Sequence, residues 1–69
     1  MSDELKQLNA LLGYWLEHNQ EHADEFREWA DKVPARQKEV ADLLRLAVDK
    51  MIESNGYLKK ARTLLDKTK

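Results

Sequence analysis

The chain of 69 residues has a formal net charge of −1, although 36% of its residues are charged. This length predicts a single domain, residues 1–69, with a modest hydrophobic core. Because the chain has no cysteine, disulfides and thiolate metal sites are excluded. The balanced charge does not favour nucleic-acid binding, and no apolar run approaches the ~20 residues of a membrane span. The start lacks a signal-peptide pattern, so a cytoplasmic location is predicted.

The first half of the chain predicts one long helix over about residues 3–32. Its apolar positions alternate in steps of three and four, as in helices that pack along a heptad seam. Trp15 and Trp29 fall on this seam and are therefore predicted to be core residues. The whole predicted seam comprises Leu5, Leu8, Leu12, Trp15, Asn19, His22, Phe26, Trp29 and Val33.

Pro34 divides the chain almost in half. Proline disfavours helical backbone at the preceding residue and suits the first turn of the next helix, so a second helix is predicted over about residues 35–67. Ser54-Asn55-Gly56 could end that helix early, but the seam passes Gly56 without a phase slip and favours a continuous helix. The second seam comprises Val40, Leu44, Ala47, Met51, Ser54, Leu58, Ala61 and Leu65.

Folding the chain back at Pro34 predicts an all-α fold, an antiparallel two-helix hairpin. The predicted register places Asn19 opposite Met51 and His22 opposite Ala47. A hairpin alone cannot cover all of its apolar residues, so we expect a homodimer that forms a four-helix bundle. The apolar residues outside the two seams are Leu11, Leu16, Leu43, Leu46, Val48, Ile52 and Leu64.

The two histidines, His18 and His22, are four residues apart and therefore lie on the same side of the first helix. Two imidazoles one helical turn apart can bind one transition-metal ion, and Glu21 and Glu25 are nearby carboxylates that could add oxygen ligands. Such ligands suit nickel, zinc, copper or cobalt. His18, His22, Glu21 and Glu25 are therefore the candidate ligands of a metal site, and affinity order alone does not choose among these ions.

A structural role for the same segment is the alternative, and the residues alone favour it, because polar core residues are usually satisfied by hydrogen bonds. A polar residue in a helix seam can fix register and oligomeric state at some cost in stability. Asn19 and His22, with Ser54 or Asn55 nearby, would then form a His–Asn cluster that specifies helix pairing in a metal-free interaction module. Trp15, Asn19 and Asn55 are the candidate residues of a ligand-binding or polar cluster. A small-ligand pocket beside Trp15 is a third hypothesis. No nucleophile–base pair, phosphate loop or paired-carboxylate site with specific spacing is present, so enzymatic activity is not predicted.

The segment from Trp15 to Ala23 has the pattern W-x-E-H-N-x-E-H-A and is followed by Phe26, Trp29 and Ala30. In this it resembles a poorly characterised small helical-hairpin family, and the resemblance covers nearly the whole chain. Such domains occur alone in anaerobes and archaea. They are also similar to extensions behind small nickel-binding accessory proteins linked to carbon monoxide dehydrogenase maturation.

The resemblance has implications for the histidine segment. It implies that His18 and His22 are metal ligands, with Asn19 and Glu21 in support. It also implies a metalloenzyme-maturation protein as a partner. We therefore expect a non-enzymatic accessory protein that binds a transition-metal ion, nickel or zinc.

Overall fold

The computed structural model describes residues 2–67 and shows two antiparallel helices joined by a short turn. Helix α1 spans Asp3–Lys32 and helix α2 spans Lys38–Lys67, with a 3-10 turn at Ala35–Gln37 between them. The predicted all-α hairpin is confirmed, and α2 continues through Gly56 without a break. Within residues 2–67, neither helix contains a stretch apolar enough over a sufficient length to cross a membrane.

Local sequence accounts for both ends of α1. The Ser2 hydroxyl oxygen accepts a hydrogen bond from the Leu5 N–H at 3.2 Å and so pairs one of the amides that a helix start leaves open. At the other end Val33 has extended backbone, as expected before a proline, while its N–H donates to the carbonyl oxygen of Trp29 at 3.0 Å. Pro34 therefore ends α1 and turns the chain.

The surfaces that the two helices bury against each other are rotated by one residue from the predicted seams. Some positions, such as Leu12, belong to both the predicted seam and the observed contact. At the positions between them, the residue that contacts the other helix is the one that follows the predicted residue in the sequence. The prediction that Trp15 and Trp29 are core residues is wrong, because they are 38% and 61% exposed. The residues buried deepest in the interface are Leu12, Ala23, Ala30, Ala41, Val48 and Asn55.

The rotation has a physical reason in the size of the side chains. Ala23, Ala30 and Ala41 let the two helices approach more closely than indole rings would allow, and close packing is favoured in a protein interior. An apolar stripe wider than ~100° contains both the predicted and the observed contact lines, so the spacing does not decide between them. Leu16 and Val48, which are predicted to lie outside the seams, consequently face the interior; Val48 is buried and Leu16 half-buried.

The register of the hairpin also differs from the predicted one. The prediction places Asn19 opposite Met51, but the Asn19 side chain hydrogen-bonds Asn55, one helical turn further along α2. The connection explains the shift, because the extended residues 33–34 and the 3-10 turn at Ala35–Gln37 both precede α2. The turn therefore occupies residues that the prediction assigned to the paired helices.

One side of the hairpin carries a broad apolar surface that the rest of residues 2–67 leaves largely uncovered. Leu8 and Ala61 line one shallow groove there, and residues seven apart along a helix share its side. The ion pair between Asp31 and Arg45, with 3.2 Å between nitrogen and oxygen, lies on the opposite side. We name the first surface the outer apolar face. It comprises Leu8, Leu11, Trp15, His18, His22 and Trp29 of α1, and Val40, Leu43, Ala47, Ser54 and Ala61 of α2.

Candidate metal site

His18 and His22 bring two imidazole nitrogens together on the outer apolar face. Their Nε2 atoms are 2.9 Å apart, and their ring planes are inclined by 86°. The side chain of His22 is 40% exposed, so the nitrogen pair is open to solvent. When one ring carries a proton on Nε2, this distance suits a hydrogen bond between the rings. When neither ring does, two nitrogen lone pairs lie next to each other and can bind one ion.

Two further rings extend the histidine pair into a continuous row along α1. Tyr14 stacks on His18 with 5.3 Å between ring centroids, and His22 stacks on Phe26 at 6.1 Å. Phe26 is half-buried, so the row is anchored at the hairpin interior. Contacts along the row restrict the rotation of both imidazoles. Sequence reasoning missed this feature, although its signal is visible as four ring-bearing residues at intervals of four.

The two carboxylates predicted as ligands lie beside the histidine pair. Glu25 Oε1 is 4.0 Å from Nδ1 of His22, which is the ring nitrogen remote from His18. This distance is too long for a hydrogen bond, so Glu25 places negative charge beside the ring without fixing its orientation. Glu21 lines a small depression together with Glu17 and His18. Within residues 2–67, no three His, Cys, Asp or Glu side chains are grouped closely enough to hold a metal ion.

A second polar pair, Asn19 and Asn55, lies inside the hairpin. Asn19 Nδ2 donates a hydrogen bond to Asn55 Oδ1 at 2.9 Å, and Asn55 Nδ2 donates to the carbonyl oxygen of Leu16 at 3.2 Å. Asn55 is only 7% exposed, and every buried side-chain nitrogen or oxygen within residues 2–67 has a hydrogen-bond partner. The structure thus brings Asn19 and Asn55 together, whereas Trp15, the third residue of the predicted cluster, lies on the outer apolar face.

Comparisons with known proteins cover most of the hairpin. The family model described as a domain of unknown function (DUF8180) matches residues 8–65. An uncharacterized protein of Archaeoglobus fulgidus is 39% identical over 57 residues, which cover 83% of this chain and 92% of that relative. No solved structure matches the chain. The matched residues include both polar pairs.

Proposed function

We propose that this chain, which belongs to the DUF8180 family, binds a transition-metal ion through the Nε2 atoms of His18 and His22. The observation that carries the proposal is the distance of 2.9 Å between these atoms. Imidazole nitrogens lie about 2.1 Å from a bound metal ion, so two of them at right angles are about 3.0 Å apart. The histidines therefore have the spacing of two adjacent ligands of one ion.

The resemblance favours one metal ion. The extensions that this chain resembles stand behind nickel-binding accessory proteins, and nickel accepts nitrogen ligands in square-planar and tetragonal sites. We therefore propose nickel ahead of zinc at His18 and His22. In this proposal Glu25 supplies negative charge beside His22, and Glu21 supplies it beside His18.

The proposed role is that of a non-enzymatic accessory protein that holds a metal ion and passes it to a partner. An ion can enter or leave the site while the outer apolar face is uncovered, because both nitrogens of a single chain can be reached from solvent. The resemblance to extensions of nickel-binding accessory proteins supports a metalloenzyme-maturation protein as that partner. The outer apolar face supports a homodimer in the form of a four-helix bundle.

Calorimetric titration with nickel and with zinc tests the metal proposal. We expect the protein to bind nickel more tightly than zinc. The variant with both His18→Gln and His22→Gln should lose binding, because glutamine supplies no imidazole nitrogen. Glu28→Gln is the matched control, since it removes an exposed carboxylate of α1 away from the histidine pair and leaves both imidazoles in place. Unchanged nickel binding by the double variant would contradict the proposal.

A metal-free interaction module is the second candidate, and the Asn19–Asn55 hydrogen bond is the observation that favours it. A buried amide pair can fix the register of packed helices, and the outer apolar face could then recruit further helices without any ion. This candidate predicts that the double histidine variant has a changed oligomeric state or melting temperature. It further predicts that nickel alters neither quantity. Sedimentation and thermal melts with and without nickel distinguish the two candidates.

A further inference from the structure

The outer apolar face has the size of a protein–protein interface. The hairpin is 53 Å long and 14 Å wide between its outermost Cα atoms. One side therefore offers on the order of 700 Å², close to the ~800 Å² that each partner buries in a stable interface. Trp29 and Leu43, both on this face, are 61% and 67% exposed. Large exposed apolar side chains on a surface of this size mark an interaction site.

Four of the six α1 residues of the face, Leu11, His18, His22 and Trp29, are placed symmetrically around the centre of the histidine pair. Gln20 lies midway between His18 and His22, and Leu11 and Trp29 lie at equal distances before and after it. If a second copy packs antiparallel on α1 around this centre, His18 lies opposite the partner's His22. Leu11 then lies opposite the partner's Trp29, so that an apolar pair lies on either side of the histidines, while Trp15 lies opposite the partner's Glu25 and Leu8 opposite the partner's Lys32. This symmetry is what a two-fold interface requires.

The α2 part of the face is symmetric around Ser54. Ala47, Ser54 and Ala61 follow each other at intervals of seven, so they form one stripe of small side chains on α2. A two-fold axis at Ser54 would place Ala47 opposite the partner's Ala61. Small side chains at these positions allow the two α2 helices to pack closely.

The two centres lie at the same height in the hairpin. The hydrogen bond between Asn19 and Asn55 joins the residue before Gln20 to the residue after Ser54. A single axis that lies along the outer apolar face, perpendicular to both helices, can therefore cross α1 at the height of Gln20 and α2 at the height of Ser54. The predicted register, with Asn19 opposite Met51, would have separated the two centres by one helical turn. The observed register therefore allows one axis to pass the symmetry centres of both α1 and α2.

We propose that a second copy of the chain covers the outer apolar face through this two-fold axis, and that the two histidine pairs meet there in a shared four-nitrogen metal site. The metal in this site rests on the proposed function, whereas the packing does not. Each copy supplies the Nε2 atoms of His18 and His22, which are 2.9 Å apart. Two such pairs furnish the four nitrogens of a square-planar ion or the equatorial plane of an octahedral one.

The charge of α1 gives the ion a second role. Residues 1–33 contain eight acidic and three basic residues, a net charge of −5, so two α1 helices packed together repel each other. A divalent cation at their centre offsets part of this repulsion. We therefore expect nickel to tighten the dimer as well as to bind at it.

Single-cysteine variants test the packing, because the chain has no cysteine of its own. Ser54→Cys places one thiol of each copy at the axis, where a disulfide can form if the two Cα atoms lie within about 7 Å. Thr63→Cys, on the opposite side of α2, is the matched control. Under mild oxidation we expect Ser54→Cys to become a disulfide-linked dimer and Thr63→Cys to stay unlinked. A mixture of Ala47→Cys and Ala61→Cys should link more completely than either variant alone.

Nickel titration of the cross-linked Ser54→Cys dimer then tests the shared site. One ion per two chains is expected, with loss of binding when His18→Gln and His22→Gln are added. A cross-link without metal binding supports the two-fold packing and overturns the metal function. Binding of one ion per chain overturns the shared site. Failure of Ser54→Cys to cross-link overturns the packing itself. A dimer in which α1 packs on the α2 helix of the partner would give this result, because the two Ser54 positions would not meet.

Discussion

Two polar pairs lie next to each other on α1 and have opposite surroundings. Asn19 and Asn55 lie inside the hairpin, where each side chain takes part in a hydrogen bond. His18 and His22 lie on the outer apolar face, where their nitrogens meet each other and remain open to solvent. Successive residues of a helix are rotated by ~100°, so one position along the chain separates an interior residue from a surface residue.

The role of a polar residue within an apolar pattern therefore depends on the side of the helix on which it lies. A polar pair in the interior is satisfied by the protein itself and can specify how helices pair. A pair on the outer apolar face retains capacity to bind another group. Substitutions in the interior should therefore change stability most, and substitutions on the face should change binding most.

The largest loss of stability is expected from Leu12→Ala, which leaves a cavity between the helices. Leu12 is 3% exposed, and truncation of such a leucine typically lowers the free energy of unfolding by about 2–5 kcal/mol. Leu46→Ala is the matched control, since Leu46 is 50% exposed on α2. Urea denaturation at a fixed protein concentration measures both effects. Equal losses in the two variants would show that Leu12 does not lie in the interior.

An intermediate effect is expected when the interior amide pair is broken. Asn19→Leu removes the donor to Asn55 Oδ1 and should lower the free energy of unfolding by about 1–3 kcal/mol. Adding Asn55→Leu should cost less than the sum of the two single substitutions, because the double variant leaves no amide unpaired. His18→Gln is the control on the outer apolar face and should change the free energy by no more than about 0.5 kcal/mol.

A double-mutant cycle, measured by chemical denaturation, gives the coupling between Asn19 and Asn55. Strictly additive losses would contradict a direct interaction between the two side chains. The oligomeric state of each variant should be recorded in parallel, because a lost register would also disturb the symmetry of the outer apolar face. A loss of stability on His18→Gln as large as that on Asn19→Leu would remove the distinction between the two pairs.

The helices and their antiparallel pairing could be predicted because their signals are local. Pro34 stops one helix and suits the start of the next, and the steps of three and four are uninterrupted on either side of it. The rotation of the interface could not be predicted in the same way. It depends on how closely the backbones approach at Ala23 and Ala30, which is a property of the pair of helices. The register likewise depends on the length of the 3-10 turn at Ala35–Gln37, and the spacing of the seam residues does not indicate that length.

The candidate site shows the same division. That His18 and His22 lie on one side of a helix follows from their spacing alone. The approach of their Nε2 atoms depends on side-chain rotamers, and these are restricted by contacts with Tyr14 and Phe26. The position of Glu25 at the remote nitrogen of His22 is also a matter of rotamer. Spacing therefore identifies the residues of such a site before it identifies their roles.

The smallest change in stability is expected from Gly56→Ala, away from both polar pairs. Gly56 is in the middle of α2, and a Cβ added to it would meet no atom within 4 Å. Alanine is more favourable than glycine inside a helix by about 0.8–1 kcal/mol, so the free energy of unfolding should rise by up to that amount. Gly13→Ala should raise it less, because the new Cβ would lie 3.4 Å from the Arg62 guanidinium.

Urea denaturation measures the gain from Gly56→Ala, and sedimentation and nickel titration show whether anything else has changed. Gly56 lies on the side of α2 away from the stripe of Ala47, Ser54 and Ala61, so the oligomeric state and the nickel affinity should both stay the same. A dissociated dimer after Gly56→Ala would mean that another molecule packs against this side. The outer apolar face would then not be the sole contact between copies, and the two-fold axis over Gln20 and Ser54 would have to be abandoned.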